Sequence, residues 1–326
     1  MNRRGFTIVE LLIVIVVIGI LAGITIVAYN GIQDRAKISA AQSAVSQAVK
    51  KIEAYKVQNN DTYPSSLAIA AIASSGNTTY NYTSSDGYYC VSATTQGMTY
   101  FQTSTNPTVN RGECNGLIAW WPLNGSTNDL GPNALNGTGY NIVGATGQNG
   151  KSGGAYAFNG VSSQITVTNN AVLNPVTAIT VSAWFQIAGN TGATQGVISK
   201  DISSPIANPP YALQINASTN TLQYYQTSTS TTTPTNSVST PVLTYGNNWY
   251  FISGTFEGNT MRVYFNGELS ETSTLSDIAP TTGMLRIGQQ KTGSGRWFNG
   301  TIDDVRIYNR ALSASEINQL YLAGAL

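Results

Sequence analysis

The chain has 326 residues and a formal net charge of +1, and 10% of its residues are charged. Nucleic-acid-binding proteins present a strongly basic face, so this balance argues against nucleic-acid binding. The sequence contains no histidine, which excludes serine–histidine and cysteine–histidine dyads and histidine-ligated metal sites. Length alone suggests about two domains beyond the N-terminal apolar segment.

An apolar run with one carboxylate inside it follows the N-terminal basic residues. The run covers residues 6–29, and Glu10 is its one charged residue. As a helix at about 1.5 Å per residue it is roughly 36 Å long, which exceeds the ~30 Å core of a bilayer. A carboxylate at that depth costs on the order of 2.5–3.5 kcal/mol. We therefore predict a transmembrane helix in which Glu10 has a dedicated function.

Two other interpretations explain part of this segment. A secretory signal peptide has a shorter apolar core followed by a small-residue cleavage site, which the Ala-Tyr-Asn-Gly sequence at 28–31 does not provide. A plain signal anchor explains the length and, by the positive-inside rule, the cytoplasmic side of Arg3 and Arg4. It leaves Gly5 and Glu10 unexplained.

Residues 4–10, with the sequence Arg-Gly-Phe-Thr-Ile-Val-Glu, resemble the class III signal of type IV prepilins and pseudopilins. The resemblance implies that a prepilin peptidase removes the leader, residues 1–5, by cutting between Gly5 and Phe6, and methylates the new amine of Phe6. It also implies other pilin subunits as partners in a helical filament and an assembly platform in the inner membrane. The chain is then expected in the cytoplasmic membrane before assembly and in an extracellular pilus afterwards.

This cut gives Glu10 a partner. It creates a positive amine at Phe6, at the edge of the same apolar stripe. In a filament of stacked subunits, the Glu10 carboxylate of one subunit can pair with the Phe6 amine of its neighbour. Such a pair offsets two desolvation costs and fixes the register between subunits. We therefore assign Glu10 to assembly.

Residues 30–115 have the pattern of a small pilin head. Over residues 33–59 apolar positions recur at spacings of three and four, which predicts a helix that continues the membrane segment: Ile38, Ala41, Val45, Ala48, Ile52 and Tyr55. A Tyr-Pro-x-x-Leu turn at 63–67 also resembles pilins, and a short helix is predicted over residues 67–73. Short strands over 79–82, 88–93 and 98–102 predict an antiparallel sheet against the long helix.

The two cysteines, Cys90 and Cys114, lie downstream of the membrane segment. An even number in an exported region favours one disulfide in an oxidising compartment. Two free thiols in a reducing compartment are the alternative. Asn115-Gly116 is the expected domain boundary.

Residues 116–326 change to the pattern of a large all-β domain. Period-two runs separated by Gly, Asn, Pro and Thr predict strands over residues 117–123, 179–187, 211–215, 249–256, 261–265 and 300–308. Asn266-Gly267 predicts a type I′ hairpin turn. Ser313 and Glu316 form the pattern of a capping box that opens a short C-terminal helix. These elements predict a β-sandwich.

Several blocks of this region resemble the laminin-G-like, concanavalin A-like jelly roll. They occur in the family's order at residues 119–123, 153–160, 180–184, 197–200, 249–252, 263–267 and 298–313. The combined expectation is an α+β pilin module with a long N-terminal helix and a small antiparallel sheet, followed by an all-β jelly-roll β-sandwich.

The carboxylates of this region do not show the paired arrangement that glycosidase catalysis requires. Glycosidases on this fold need two carboxyl groups about 5–9.5 Å apart. Asp303 and Asp304 are adjacent on a predicted strand, so they are expected to point to opposite faces. We predict that the chain is not an enzyme.

The laminin-G-like resemblance implies a possible Ca²⁺ ion between an N-terminal loop and the last strand. The matching metal residues are Asp129, in the loop at 124–133, and Asp303. Asp129 as a turn-forming residue is the alternative, and Asp303 could instead pair with Arg306 or Arg310.

Aromatic residues near loops are candidates for stacking on sugar rings. Tyr225 and Trp297 fit best for such ligand binding, although a place in the strand core is the alternative for Trp297.

The two resemblances predict a minor or tip pilin that displays a lectin-like module for adhesion to carbohydrate or another ligand on a host or neighbouring cell. One alternative is a pseudopilin of a type II secretion or DNA-uptake system whose outer domain contacts cargo. A membrane-anchored glycan hydrolase is the third.

Overall fold

The structure is a computed structural model that describes residues 8–85, 88–104, 106–201, 209–228, 236–275, 277–290 and 295–324. The predicted cut between Gly5 and Phe6 lies outside these residues, and the Glu10 side chain is also outside the description. One long helix, α1 (Ile8–Gln58), opens the described chain. Within the described residues, no helix meets the length and apolarity required to cross a membrane.

A four-stranded antiparallel sheet in sequential order packs on α1. Its strands are β1 (Thr78–Ser85), β2 (Tyr88–Thr95), β3 (Met98–Thr103) and β4 (Asn106–Arg111). The predicted helical stripe is confirmed, because Ala41, Val45, Ala48 and Ile52 are buried in one cluster with Tyr89 and other residues of the sheet. β4 was not predicted, since an edge strand beginning with Asn-Pro has little strand pattern.

The short helix predicted over residues 67–73 is wrong. The segment forms one turn, in which the Ile72 N–H donates to the Leu67 carbonyl at 2.9 Å. Ala71 has a φ of 52°, and a left-handed residue ends a helix. The turn therefore closes before a second turn can form.

A β-sandwich follows. Its strands are β5 (Leu117–Trp121), β6 (Gly137–Tyr140), β7 (Val143–Ala145), β8 (Ala155–Asn159), β9 (Gln164–Val167), β10 (Ala178–Ile187), β11 (Gln195–Lys200), β12 (Tyr211–Ile215), β13 (Thr221–Gln226), β14 (Asn236–Val242), β15 (Tyr250–Glu257), β16 (Thr260–Phe265), β17 (Glu268–Thr274), β18 (Leu285–Ile287) and β19 (Asn299–Tyr308). A 3₁₀ turn at Ala171–Leu173 and the C-terminal helix α2 (Ala314–Gly324) complete it. Each of the six predicted strands is present, with ends within two residues of the prediction.

Two antiparallel sheets enclose the sandwich core. The eight-stranded sheet has the order β17-β16-β15-β10-β19-β8-β7, with β5 also paired to β19. The seven-stranded sheet has the order β14-β13-β12-β11-β18-β9-β6. Apolar side chains of both sheets form the core, including Phe185, Val263, Leu213 and Tyr224. The predicted fold class, a pilin module followed by a jelly-roll sandwich, is confirmed.

The predicted hairpin turn and capping box are both present. Asn266 and Gly267 have φ values of 49° and 85°, as a type I′ turn requires. The Ser313 N–H donates to Glu316 Oε2 at 2.7 Å, and the Glu316 N–H donates to Ser313 Oγ at 3.3 Å. This reciprocal cap starts α2.

The head and the sandwich share a buried core, which we call the seam. The predicted disulfide between Cys90 and Cys114 is present. It packs in one cluster with Phe101 of the head and Trp120 and Tyr308 of the sandwich. The two parts therefore bury apolar surface against each other on either side of the predicted Asn115-Gly116 boundary.

Candidate functional site

A buried arginine contacts residues on both sides of the seam. Arg306 on β19 is 5% exposed. Its guanidinium donates to Asp304 Oδ1 at 2.9 Å and to the Arg111 backbone carbonyl, in the head, at 3.2 Å. The guanidinium carbon lies 4.9 Å from the centre of the Trp120 ring and 5.8 Å from that of Phe101. Burial lowers the pKa of Arg306, but the Asp304 charge raises it above its usual value.

Asp303 and Asp304 do not point to opposite faces, so that expectation is wrong. Asp304 has a φ of 45°, and the register between β10 and β19 shifts at this point. A left-handed residue in a strand makes a β-bulge that breaks the alternation of side chains. Both carboxylates consequently line the same cleft.

This cleft, which we call the seam cleft, runs between β4 of the head and the sandwich. Its larger part has a volume of about 440 Å³, and its smaller part, about 160 Å³, reaches Asp303 and Asp304. Both parts share Asn110, Trp120, Pro122 and Asn124. Head and sandwich thus each contribute a wall.

Asp303 lies at the inner end of the seam cleft. It is 4% exposed, and its Oδ2 accepts a hydrogen bond from the Gln148 N–H at 3.0 Å. Burial and the Asp304 charge raise the pKa of Asp303 to about 7. The alternative pairing of Asp303 with Arg306 or Arg310 is wrong, since Arg306 pairs with Asp304 and Arg310 pairs with Glu316.

Asp129, the other predicted calcium ligand, accepts hydrogen bonds from backbone N–H groups through both of its carboxylate oxygens. Its Oδ1 accepts from the N–H groups of Trp120 at 2.8 Å and Gly131 at 2.7 Å, and its Oδ2 accepts from that of Leu135 at 2.7 Å. Burial raises the pKa of Asp129 above its usual value, although these three hydrogen bonds act in the opposite direction. This is the geometry of a turn-forming carboxylate.

The two aspartates fit a calcium ion differently. Calcium takes six to eight oxygen ligands. Three N–H donors take three of the roughly four lone-pair sites of the Asp129 carboxylate, so Asp129 is the weaker of the two candidate ligands. Asp303 is the stronger candidate, because the side chains of Asn124 and Asn149 line the same part of the cleft and carry amide oxygens of the kind that calcium binds. The described residues hold no group of three or more Asp, Glu, His or Cys side chains suited to a metal.

The predicted sugar-stacking residues lie elsewhere, on the side of the seven-stranded sheet. Tyr225 is half-buried on β13, and it points outward because its neighbour Tyr224 is in the core. Burial raises the pKa of Tyr225 to about 12. Trp297 is half-buried and forms an isolated bridge with Gln289. The charge of Arg296, next to Trp297, acts on Tyr225, so the two aromatic residues are in the same region.

Sequence reasoning missed the seam cleft. Its shared residues, Asn110, Trp120, Pro122 and Asn124, come from two domains and have no common motif. Asp304 could have been recognised as a bulge candidate, because aspartate is among the residues that tolerate a positive φ.

Comparisons with known proteins agree with both parts of the fold. The prokaryotic N-terminal methylation motif matches residues 1–26, and the concanavalin A-like lectin/glucanases superfamily matches residues 159–318. The type IV wide pilus major component PilA4 of Thermus thermophilus is 32% identical over 108 residues, which are 32% of this chain and 82% of the relative.

Solved structures match the sandwich. The Trypanosoma rangeli sialidase matches with a TM-score of 0.50 and 16% identity, over 64% of this chain and 32% of the sialidase. The binding domain of Paraclostridial Mosquitocidal Protein 1 matches with a TM-score of 0.51 and 18% identity, over 63% of this chain and 52% of that domain. The chain thus spans about a third and about half of these proteins, and the likeness is one of fold.

Fold and matches together define a filament subunit with a lectin-type sandwich. The chain belongs to the type IV pilin family, and it carries a concanavalin A-like lectin domain. Membership of this family implies other pilin subunits as partners in a filament, and a membrane-anchored precursor that precedes the extracellular pilus. These relationships indicate a structural and binding role.

Proposed function

We propose that this pilin is a minor or tip subunit that displays its sandwich for adhesion to carbohydrate on a host or neighbouring cell. The observation that carries the proposal is the seam, where Arg306 of the sandwich contacts Phe101 and Arg111 of the head. The packed core of the seam therefore connects the sandwich, which would hold the ligand, to the pilin module, which would be built into the filament. A module of this size at every lateral position would crowd a filament, which favours a minor or tip place.

Processing and assembly follow the pilin route in this proposal. The match to the methylation motif over residues 1–26 supports cleavage between Gly5 and Phe6 by a prepilin peptidase. An assembly platform in the inner membrane then adds the subunit to the filament. Glu10 pairs with the Phe6 amine of a neighbouring subunit.

Carbohydrate is the ligand class that the lectin domain favours. The match to the concanavalin A-like lectin/glucanases superfamily covers residues 159–318. Two surfaces could bind the sugar: the region of Tyr225 and Trp297 on the seven-stranded sheet, and the seam cleft between the head and the sandwich.

A glycan array tests this function directly. The probe is the full-length chain in detergent micelles, labelled and applied to an array of uncharged and sialylated oligosaccharides. We expect selective binding to a small group of related glycans. Binding to none of them would contradict adhesion through carbohydrate.

Immunogold electron microscopy tests the place of the subunit. We expect label on long surface fibres, concentrated at tips or at sparse positions. Label confined to the periplasm would instead favour the alternative, a pseudopilin of a secretion or DNA-uptake system whose outer domain contacts cargo.

A further inference from the structure

We infer that the seam cleft is the carbohydrate-binding site, and that the pilin head forms part of it. The inference rests on the proposed function and names its site. It places the sugar between β4 and the sandwich rather than on the Tyr225 and Trp297 surface.

The size and position of the seam cleft suit a small ligand. The larger part has a volume of about 440 Å³, within the range of about 300–1,000 Å³ typical of ligand sites. Thr108 and Asn110 of β4 line it from the head, and Asn124, Ser126 and Asn128 line it from the sandwich. Ligand sites occur preferentially at such interfaces between domains.

The chemistry of the lining matches hydroxyl groups. Side-chain amides both donate and accept hydrogen bonds, and Asn110, Asn124 and Asn128 supply three of them. A sugar hydroxyl also donates and accepts. Trp120, Pro122 and Leu130 add apolar surface to the same part, which can contact the C–H groups of a sugar ring.

The smaller part of the cleft contains a buried hydrogen-bond acceptor that lacks a donor among the described residues. Gln148 Oε1 is buried and has no hydrogen-bond partner among the residues that the structure describes, and Gln148 lines the cleft beside Asp303. An unsatisfied buried acceptor costs about 1–3 kcal/mol. A ligand hydroxyl that reaches this end would satisfy it.

The charged residues that line the cleft are few and of both signs, which suits an uncharged sugar as the ligand. The Asp304 carboxylate is neutralised by Arg306, with Nε and Oδ1 2.9 Å apart. Lys151 lines the larger part of the cleft. Asp303, which is only partly ionised at neutral pH because its pKa is raised to about 7, lines the smaller part. No single sign therefore dominates the lining.

The test compares two surfaces in the full-length chain, with the tightest-binding array glycan as the probe. Asn110→Ala removes an amide of the head whose Nδ2 donates to the Thr108 carbonyl of its own strand, and Asn128→Trp fills the cleft from an exposed position. We expect the double variant Asn110→Ala/Asn124→Ala to bind about tenfold or more weakly, and Asn128→Trp to lose binding. Tyr225→Ala, Trp297→Ala and the matched control Asn247→Ala should bind like the wild type.

The possible results distinguish an error in the location of the site from an error in the proposed carbohydrate binding. Wild-type affinity in Asn110→Ala/Asn124→Ala and in Asn128→Trp, each with an unchanged melting temperature, would overturn the seam cleft as the site. Loss of binding in Tyr225→Ala or Trp297→Ala alone would also overturn it. Failure of the wild type to bind any glycan would overturn the proposed function together with this site.

Discussion

The indole Nε1 of Trp120 donates a hydrogen bond to Asp304 Oδ1 at 2.5 Å, although the two residues are 184 positions apart in sequence. The same oxygen accepts from Arg306. Trp120 on β5 packs edge-on against Phe101 of the head, with ring centres 5.3 Å apart. One carboxylate therefore orients both the aromatic and the cationic side chain that join the two parts of the molecule.

The first prediction concerns the seam. Arg306→Met leaves the Asp304 carboxylate buried without its cation, so we expect it to lower the free energy of unfolding by about 3–5 kcal/mol. All five tryptophans lie at or after residue 120, so tryptophan fluorescence reports the sandwich and far-UV circular dichroism reports α1. The two signals should change in one transition during denaturation of the full-length chain in detergent.

The matched control is Arg262→Met, which removes a half-exposed arginine on β16 and should change stability by less than about 0.5 kcal/mol. Two separate transitions in the wild type would contradict a shared core.

The second prediction concerns pH and the attachment of α2. Burial raises the pKa of Glu316, but its bonds to Arg310 and Ser313 outweigh this effect and lower the pKa below its usual value of 4.5. Glu316 therefore stabilises the fold above pH 4.5, and this contribution is lost as the pH falls through the lower, folded-state pKa.

Glu316→Gln should reduce stability by about 1–2 kcal/mol at neutral pH. The difference in melting temperature between Glu316→Gln and the wild type should be full above pH 4.5 and should shrink as the pH falls below 4.5. A difference that is constant from pH 7 to pH 3 would show that the charge of Glu316 does not act in this way.

The third prediction concerns calcium, for which we propose Asp303 as a ligand. A bound ion at a thousand times its dissociation constant would stabilise the fold by about 4 kcal/mol. The melting temperature of the full-length chain should rise with Ca²⁺ and fall again with EGTA. Asp303→Asn should abolish this response.

Asp129→Asn supplies the contrast. It replaces one of the two oxygens that accept backbone hydrogen bonds by an NH₂ donor, so it should lower the melting temperature equally with and without calcium while the response to the ion persists. Identical melting of the wild type in Ca²⁺ and EGTA would exclude the site.

The fourth prediction concerns assembly. Glu10→Gln removes a charge from the predicted membrane segment, so the protein should remain inserted and stable. Its incorporation into sheared filaments should fall, because the Phe6 amine of the neighbour loses its partner. Asp34→Asn, which removes an exposed carboxylate of the same helix, is the control and should incorporate normally. Equal amounts of the two variants in filaments would contradict the register role of Glu10.

The helix and strands could be predicted because their patterns repeat over a few neighbouring residues. The stripe from Ala41 to Ile52 and the alternation in the sandwich strands depend on neighbours a few residues away, so their pattern is visible in the chain. Asn266-Gly267 and Ser313 with Glu316 are likewise short-range signals.

The seam cleft depends instead on contacts distant in sequence. The Arg306–Arg111 hydrogen bond joins residues 195 positions apart, and the bulge at Asp304 has no glycine to mark it. The ordinary alternation of a strand therefore predicts opposite faces for Asp303 and Asp304, whereas the bulge puts both side chains on one face. Asp129 shows a related limit, since a turn-forming aspartate and a metal ligand have the same sequence pattern.

The most direct test of the account is mass spectrometry of filaments sheared from cells. We predict that one polypeptide in those filaments begins at methylated Phe6 and also yields peptides from the sandwich, such as those around Asp303. Filaments without this chain, or a surface-exposed chain that still begins at Met1, would contradict its role as a processed pilin that displays a lectin domain.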